Sequence, residues 1–150
     1  MTDSLTFRPA SGEAHFRKYG KSFQEKIFQG FLTDHEWGSQ MIEVMDPTFF
    51  DVRYLSYLSD KYFSYFKKYK CFPTMQLLVS IIKDDLSAGN DVILRDQIVE
   101  FLHRIKSNPS MEDINYVKDK SLDFCKRQAF KEALEQAVEL IQTDKFESVV

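Results

Sequence analysis

Between Ser110 and Asp144 the chain contains neither proline nor glycine, and no glycine occurs anywhere after Gly89. Those two residues are the strongest punctuation of turns and helix ends. A stretch of this length without them predicts one long α-helix, on the order of 50 Å at 1.5 Å per residue. That is more than a compact head of a few helices needs. Its apolar positions include Ile114, Val117, Phe124, Phe130, Leu134, Val138 and Ile141, with small Ala129, Ala133 and Ala137 among them. Ser110-Met-Glu-Asp113 supplies a cap and early acids at the positive end of this helix. Thr143-Asp-Lys-Phe-Glu-Ser-Val-Val150 reads as a turn and the first steps of another helix.

Upstream the punctuation is regular and the intervals are helical. Phe23, Ile27, Phe28, Phe31 and Leu32 recur at three- and four-residue steps, the period of an amphipathic helix. Gly30 interrupts that helix at a cost of about 1 kcal/mol relative to alanine, which marks a point of close helix–helix approach. Thr33-Asp34 stops this helix and caps the next, which carries Trp37, Met41, Ile42 and Met45. Asp46-Pro47 starts a short turn through Phe49-Phe50, and a long aromatic helix follows from Val52 to about Lys70. Pro73-Thr74 opens a helix whose predicted buried stripe is Leu77, Leu78, Ile81 and Ile82. Ser87-Ala-Gly-Asn90 is a loop, with Asn90 or Asp91 capping a helix that carries Ile93, Leu94, Ile98, Phe101, Leu102 and Ile105. Asn108-Pro109-Ser110 breaks the chain before the long helix. The predicted fold class is all-α. Residues 1–21 form a flexible leader, 22–108 a helical head, and 109–150 the long helix and the start of a second hairpin helix.

A chain of 150 residues with 20 Lys and Arg, 23 Asp and Glu and a net charge of -3 suits one domain and lacks the basic balance of a nucleic-acid-binding module. Lys67-Lys68-Tyr-Lys70 is a local basic patch. No apolar run reaches membrane-spanning length and no secretory signal opens the chain. Cys71 and Cys125 are too few and too far apart for a disulfide framework or a zinc motif, which points to a reducing, cytoplasmic setting.

Gly20-Lys21-Ser22 has the last three letters of a phosphate-binding loop. The motif G-x-x-x-x-G-K-[ST] requires a glycine where this chain has His15, and a strand before it; Gly12 stands three residues too early, and Glu13-Ala-His-Phe-Arg-Lys is polar. Ser22-Phe-Gln-Glu25 reads instead as a capping box, Ser22 accepting from a first-turn N–H and Glu25 reaching back. His15, His35 and His103 share no metal-ligand spacing, and Asp84-Asp85 reads as a solvated helix end. No catalytic, cofactor-binding or metal-binding residue is identified.

Two surfaces remain as candidates. In the aromatic helix, Leu55, Leu58, Tyr62, Phe66 and Tyr69 share one face and form core, while Tyr54, Tyr57 and Tyr65 point elsewhere and are candidate partner contacts. In the long helix, Phe124, Phe130, Leu134, Val138 and Ile141, with Arg127 beside them, form a candidate self-association or partner face. Either further sequence covers it or another copy does.

The order of three stretches resembles the N-terminal domain of DnaB-type replicative helicases, in flavour their bacteriophage members. They are Glu25-Lys-Ile-Phe-Gln-Gly30-Phe-Leu-Thr-Asp34; Asp46-Pro-Thr-Phe-Phe50 with its aromatic helix and Phe72-Pro-Thr74…Leu77-Leu78; and Tyr116 to Phe130 running into Ala133, Ala137 and Ile141. The resemblance implies a helical head of five or six helices followed by a helical hairpin. It implies domains that pair, three pairs making a collar on a hexameric ring. Primase and a helicase loader are the implied partners, in a bacterial or phage-infected cell, with DNA contacted weakly or not at all. ATP and magnesium would belong to a RecA-like motor domain outside this sequence, so no cofactor is expected here. The alternative reading is a free-standing helical adaptor, such as a helicase loader or primase-binding protein.

Overall fold

The computed structural model describes residues 15–87, 89 and 91–143, and among them every regular element is helical. A 3₁₀ turn at Phe16–Tyr19 leads into α1 (Lys21–Thr33) and α2 (His35–Val44), and a second 3₁₀ turn, Pro47–Phe49, leads into α3 (Arg53–Tyr69). α4 (Met75–Asp85), α5 (Asp91–Ser107) and α6 (Ile114–Gln142) complete the order. α1 sits at the centre: it packs on α2, α3 and α6, while α5 packs on α3 and on α4. The predicted start of a second hairpin helix after Thr143 lies outside the described residues, as does the first part of the expected leader.

The start signals at Asp34, Asp46 and Thr74 work as predicted. Asp34 accepts from the Trp37 N–H at 3.1 Å, Asp46 from the Thr48 N–H at 2.9 Å, and Thr74 from the Leu77 N–H at 3.1 Å. Each satisfies one of the orphan donors that a helix leaves at its first turn. Two predicted caps fail. α1 starts from Gly20, whose φ of 90° suits glycine, and it has no side-chain cap; Ser22 is exposed in the first turn. At α6 the cap position falls to Asp113, with φ 64°, and its side chain makes no capping bond. Ser110 is used otherwise, its carbonyl accepting from Gln29 Nε2 at 3.2 Å.

Glu25, the other half of the expected capping box, faces the head instead. It takes both arms of the Arg104 guanidinium, at 3.0 and 3.1 Å, and the Tyr54 hydroxyl donates to it. This is why Tyr54, predicted as an exposed partner contact, is buried. Burial alone would push the Glu25 carboxyl up. The hydrogen bonds from Arg104 and Tyr54, together with the positive charges of Arg104 and Lys21, outweigh it and hold the carboxyl below its ordinary range. Asp34 is lowered too, chiefly by the hydrogen bond from Lys118 at 2.8 Å and then by backbone N–H groups. A carboxylate lowered in the folded state stabilises it above the unfolded-state pKa, and loses that effect as pH falls through the folded value. Stability is therefore expected to decline as pH drops below about 4.5, the ordinary glutamate value. Glu25→Gln should flatten that acid limb in urea unfolding measured across the acid range; an unchanged slope would show that the network is electrostatically idle.

Aromatic rings fill the core. Phe28 meets Phe31, Tyr62 and Phe101 edge-on at 5.3 to 6.1 Å between centroids, a favoured aromatic geometry. Phe31 stacks on Trp37 at 5.2 Å. Gly30 is the point of close approach that the sequence predicts: a Cβ there would lie 2.9 Å from Trp37 Cζ3. Buried Gln24 joins the start of α3 to α1, its side-chain oxygen accepting from the Asp51 and Val52 N–H groups at 2.9 and 3.3 Å.

Several expectations about the head are corrected. Phe16 is fully buried and packs on Phe49, Phe50 and Phe124. The head therefore begins before the predicted boundary at residue 22, because a buried ring outweighs the lack of periodicity around it. Tyr69, expected in the core, is exposed beyond the end of the packed part of α3, and Leu77 and Ile93 face outward on α4 and α5. Each follows an apolar spacing in sequence but falls where no neighbouring helix covers that side.

A candidate association surface on the last helix

α6 is 29 residues long, about 43 Å at 1.5 Å per residue. Its first half is held to the head. Ile114, Val117, Ser121, Phe124 and Cys125 are buried, Lys118 reaches Asp34, and Lys26 Nζ donates to the Glu112 carbonyl at 2.8 Å. Ser121, a polar residue on the buried face, satisfies its hydroxyl on the Val117 carbonyl at 2.7 Å. Burial pushes the Cys125 thiol well above its ordinary range, so it is neutral filler here.

The second half is different. Phe130, Leu134, Val138 and Ile141 are exposed by 66, 52, 50 and 57 %, with Ala133 and Ala137 between them and Leu140 at the edge. Their exposed area is on the order of 400 Å², a patch of the size that on monomers is often functional. At about 100° per residue these four side chains centre on a direction roughly 140° from the one defined by the buried residues of the first half. The reason lies in spacing. Ile114, Val117, Ser121, Phe124 and Cys125 follow steps of three and four, and so do Phe130, Leu134, Val138 and Ile141. Between Phe124 or Cys125 and Phe130 the step is six or five, which carries the apolar stripe around the helix. On the head-facing side the distal half presents Gln128, Glu132, Glu135 and Glu139. Since α6 is one continuous helix, its distal apolar stripe is turned away from the head that its proximal stripe covers.

The predicted face is therefore divided. Phe124 belongs to the core, against Phe16, Tyr19 and Phe49 at 5.0 to 6.2 Å, and this corrects its assignment to the association surface. Arg127 is exposed and pairs with Asp123 at 3.1 Å, one turn back on the same helix. Phe130, Leu134, Val138 and Ile141 share one outward side, and Leu140, missing from the predicted set, extends it. The predicted tyrosine surface does not assemble: Tyr54 is in the core, Tyr57 is half-buried with the Lys61 ammonium 5.4 Å from its ring centre, and half-buried Tyr65 meets the Tyr69 ring at a tilt, 4.6 Å between centroids. Asp85 of the acidic pair is engaged by Lys61 at 2.9 Å. Among the described residues no group of His, Cys, Asp and Glu is placed to hold a metal ion, and no helix is long and apolar enough to cross a membrane. Comparison with known proteins finds no matching protein-family model, no similar curated protein and no similar solved structure.

Proposed function

We propose that this chain is an association and docking module, the collar-type N-terminal domain of a DnaB-type replicative helicase. In this reading it holds copies of the chain together and receives primase or a helicase loader. The chemistry of ATP hydrolysis and strand separation is assigned to a motor domain elsewhere in the parent protein. The observation that carries the reading is the distal half of α6, an exposed apolar stripe on a rigid helix whose other side is polar. A stripe turned away from its own head is open to a further helix, which in this reading a second copy of the chain supplies. The resemblance to this family implies a helical head of five or six helices and then a helical hairpin, and the all-helical fold is in keeping with it.

Sedimentation velocity from about 10 μM to about 1 mM, the range in which a small apolar contact saturates, tests the association. The weight-average mass should rise with concentration. Phe130→Glu combined with Leu134→Glu should abolish that rise while leaving the thermal melt of the dilute protein unchanged, because both side chains are exposed in the single chain. A wild-type chain that stays monomeric throughout would defeat the proposal, and so would a double variant that associates as before.

A further inference from the structure

The 3₁₀ turn at Phe16–Tyr19 lies across the proximal half of α6 and leaves a cleft of about 530 Å³ between them. Its charge does not follow that of the whole chain. Arg17 and Lys18 stand on one wall and Lys120 and Arg127 on the other. Asp123 is the one acid in the lining, and it is already paired with Arg127; Arg17 reaches out of the cleft to Asp51 at 3.3 Å. Lys18 and Lys120 have no carboxylate partner among the described residues, Lys18 resting 5.3 Å from the centre of the Tyr19 ring. The Nδ1 atom of His15, also in the lining, is buried and has no hydrogen-bond partner among the described residues.

The geometry points to a binding site for phosphate groups, supplied by the backbone of a single-stranded nucleic acid or by a nucleotide. Lys18 and Lys120 offer two ammonium groups free of carboxylates to a multiply charged oxyanion, and Arg17 and Arg127, each held by one aspartate, leave the lining net cationic. The volume exceeds that of a lone phosphate and lies in the range of small-molecule sites. Lys120 and Arg127 are seven residues apart on α6, so they lie on one side of the helix about 10 Å apart along its axis, with Arg17 and Lys18 opposite. The cleft lies on the proximal half of α6, and of its lining only Arg127, three residues before Phe130, borders the outward stripe.

Fluorescence anisotropy with a labelled oligothymidylate of about 15 nucleotides, and calorimetry with tripolyphosphate and with ATP, test this on the full chain. Binding should be seen at low salt. For the oligonucleotide, the logarithm of affinity should fall with the logarithm of salt at a slope of about -2 to -3, as expected when three or four cations meet a single strand. Lys18→Glu with Lys120→Glu should weaken binding at least about tenfold and flatten that slope. Both side chains are exposed, so the melt should be unchanged; Lys18→Gln with Lys120→Gln gives a milder version of the same loss. Lys83→Glu with Lys106→Glu, the same charge change on the α4–α5 side, should have a small effect. Oligonucleotide binding that tripolyphosphate displaces identifies a nucleic-acid backbone as the source. Binding of ATP and tripolyphosphate without the oligonucleotide identifies a free nucleotide. Absence of binding to all three at low salt would overturn the site, as would equal losses in the cleft variant and the α4–α5 variant.

Discussion

Phe124→Ala is expected to cost about 3 to 4 kcal/mol of stability, in the range measured for large-to-small changes in packed cores, whereas Phe130→Ala should change it by about 0.5 kcal/mol or less. The two phenylalanines are about one and two-thirds turns apart on the same helix, and a reading by residue type treats them alike. Phe124 closes a cluster with Phe16, Phe49 and Tyr19; truncating it leaves a cavity that rings held in two separate turns cannot refill. Phe130 is exposed by 66 % and loses little by truncation in the single chain. At roughly 2 to 4 °C per kcal/mol for a domain of this size, the Phe124 variant should melt about 10 °C lower. Melts followed by circular dichroism, with the protein dilute enough to remain monomeric, make the comparison. Equal melting temperatures for the two variants would mean that α6 does not lie on the head as described.

Cys125 should react with a thiol reagent on the order of a thousand times more slowly than Cys71. Cys71 is exposed between α3 and α4, and Cys125 is fully buried on the head-facing side of α6. Two causes act in the same direction. The reagent must wait for an opening that lifts α6 from the head, and local openings of packed elements are rare in proportion to their free energy. Burial also holds the thiol in its protonated, unreactive form. Labelling in native buffer should give one fast modification and one slow one, the slow one becoming fast in denaturant. Phe124→Ala should speed the slow step, since it loosens the same docking. If both thiols reacted at one rate in native buffer, the buried position of the first half of α6 would be refuted.

Much of the fold is legible in the chain. The three- and four-residue intervals of Ile27, Phe28 and Phe31, the start signals at Asp34, Asp46 and Thr74, and the unbroken run after Ser110 lead to the helices that form. They are legible because helix caps and apolar faces are local chemistry, decided within about four residues. The misreadings involve side chains with two competing uses. Ser22 and Glu25 spell a capping box, but Glu25 forms a charged network with Arg104, 79 residues away, and that pairing is invisible to any local pattern. Tyr54 follows it into the core. The charge cleft between Arg17 and Lys120 is hidden in the same way, because the sum over the whole chain is negative.

α6 separates the two kinds of information most clearly. The sequence by itself determined that residues after Ser110 form one long helix, and the five- or six-residue step before Phe130 already turns its apolar stripe. Whether either stripe faced a head or solvent depended on where α1, α2 and the Phe16 turn came to lie against that helix. Only the tertiary structure decided that. Helix formation needs hydrogen bonds between residues four apart, whereas burial needs a surface brought in from elsewhere in the chain.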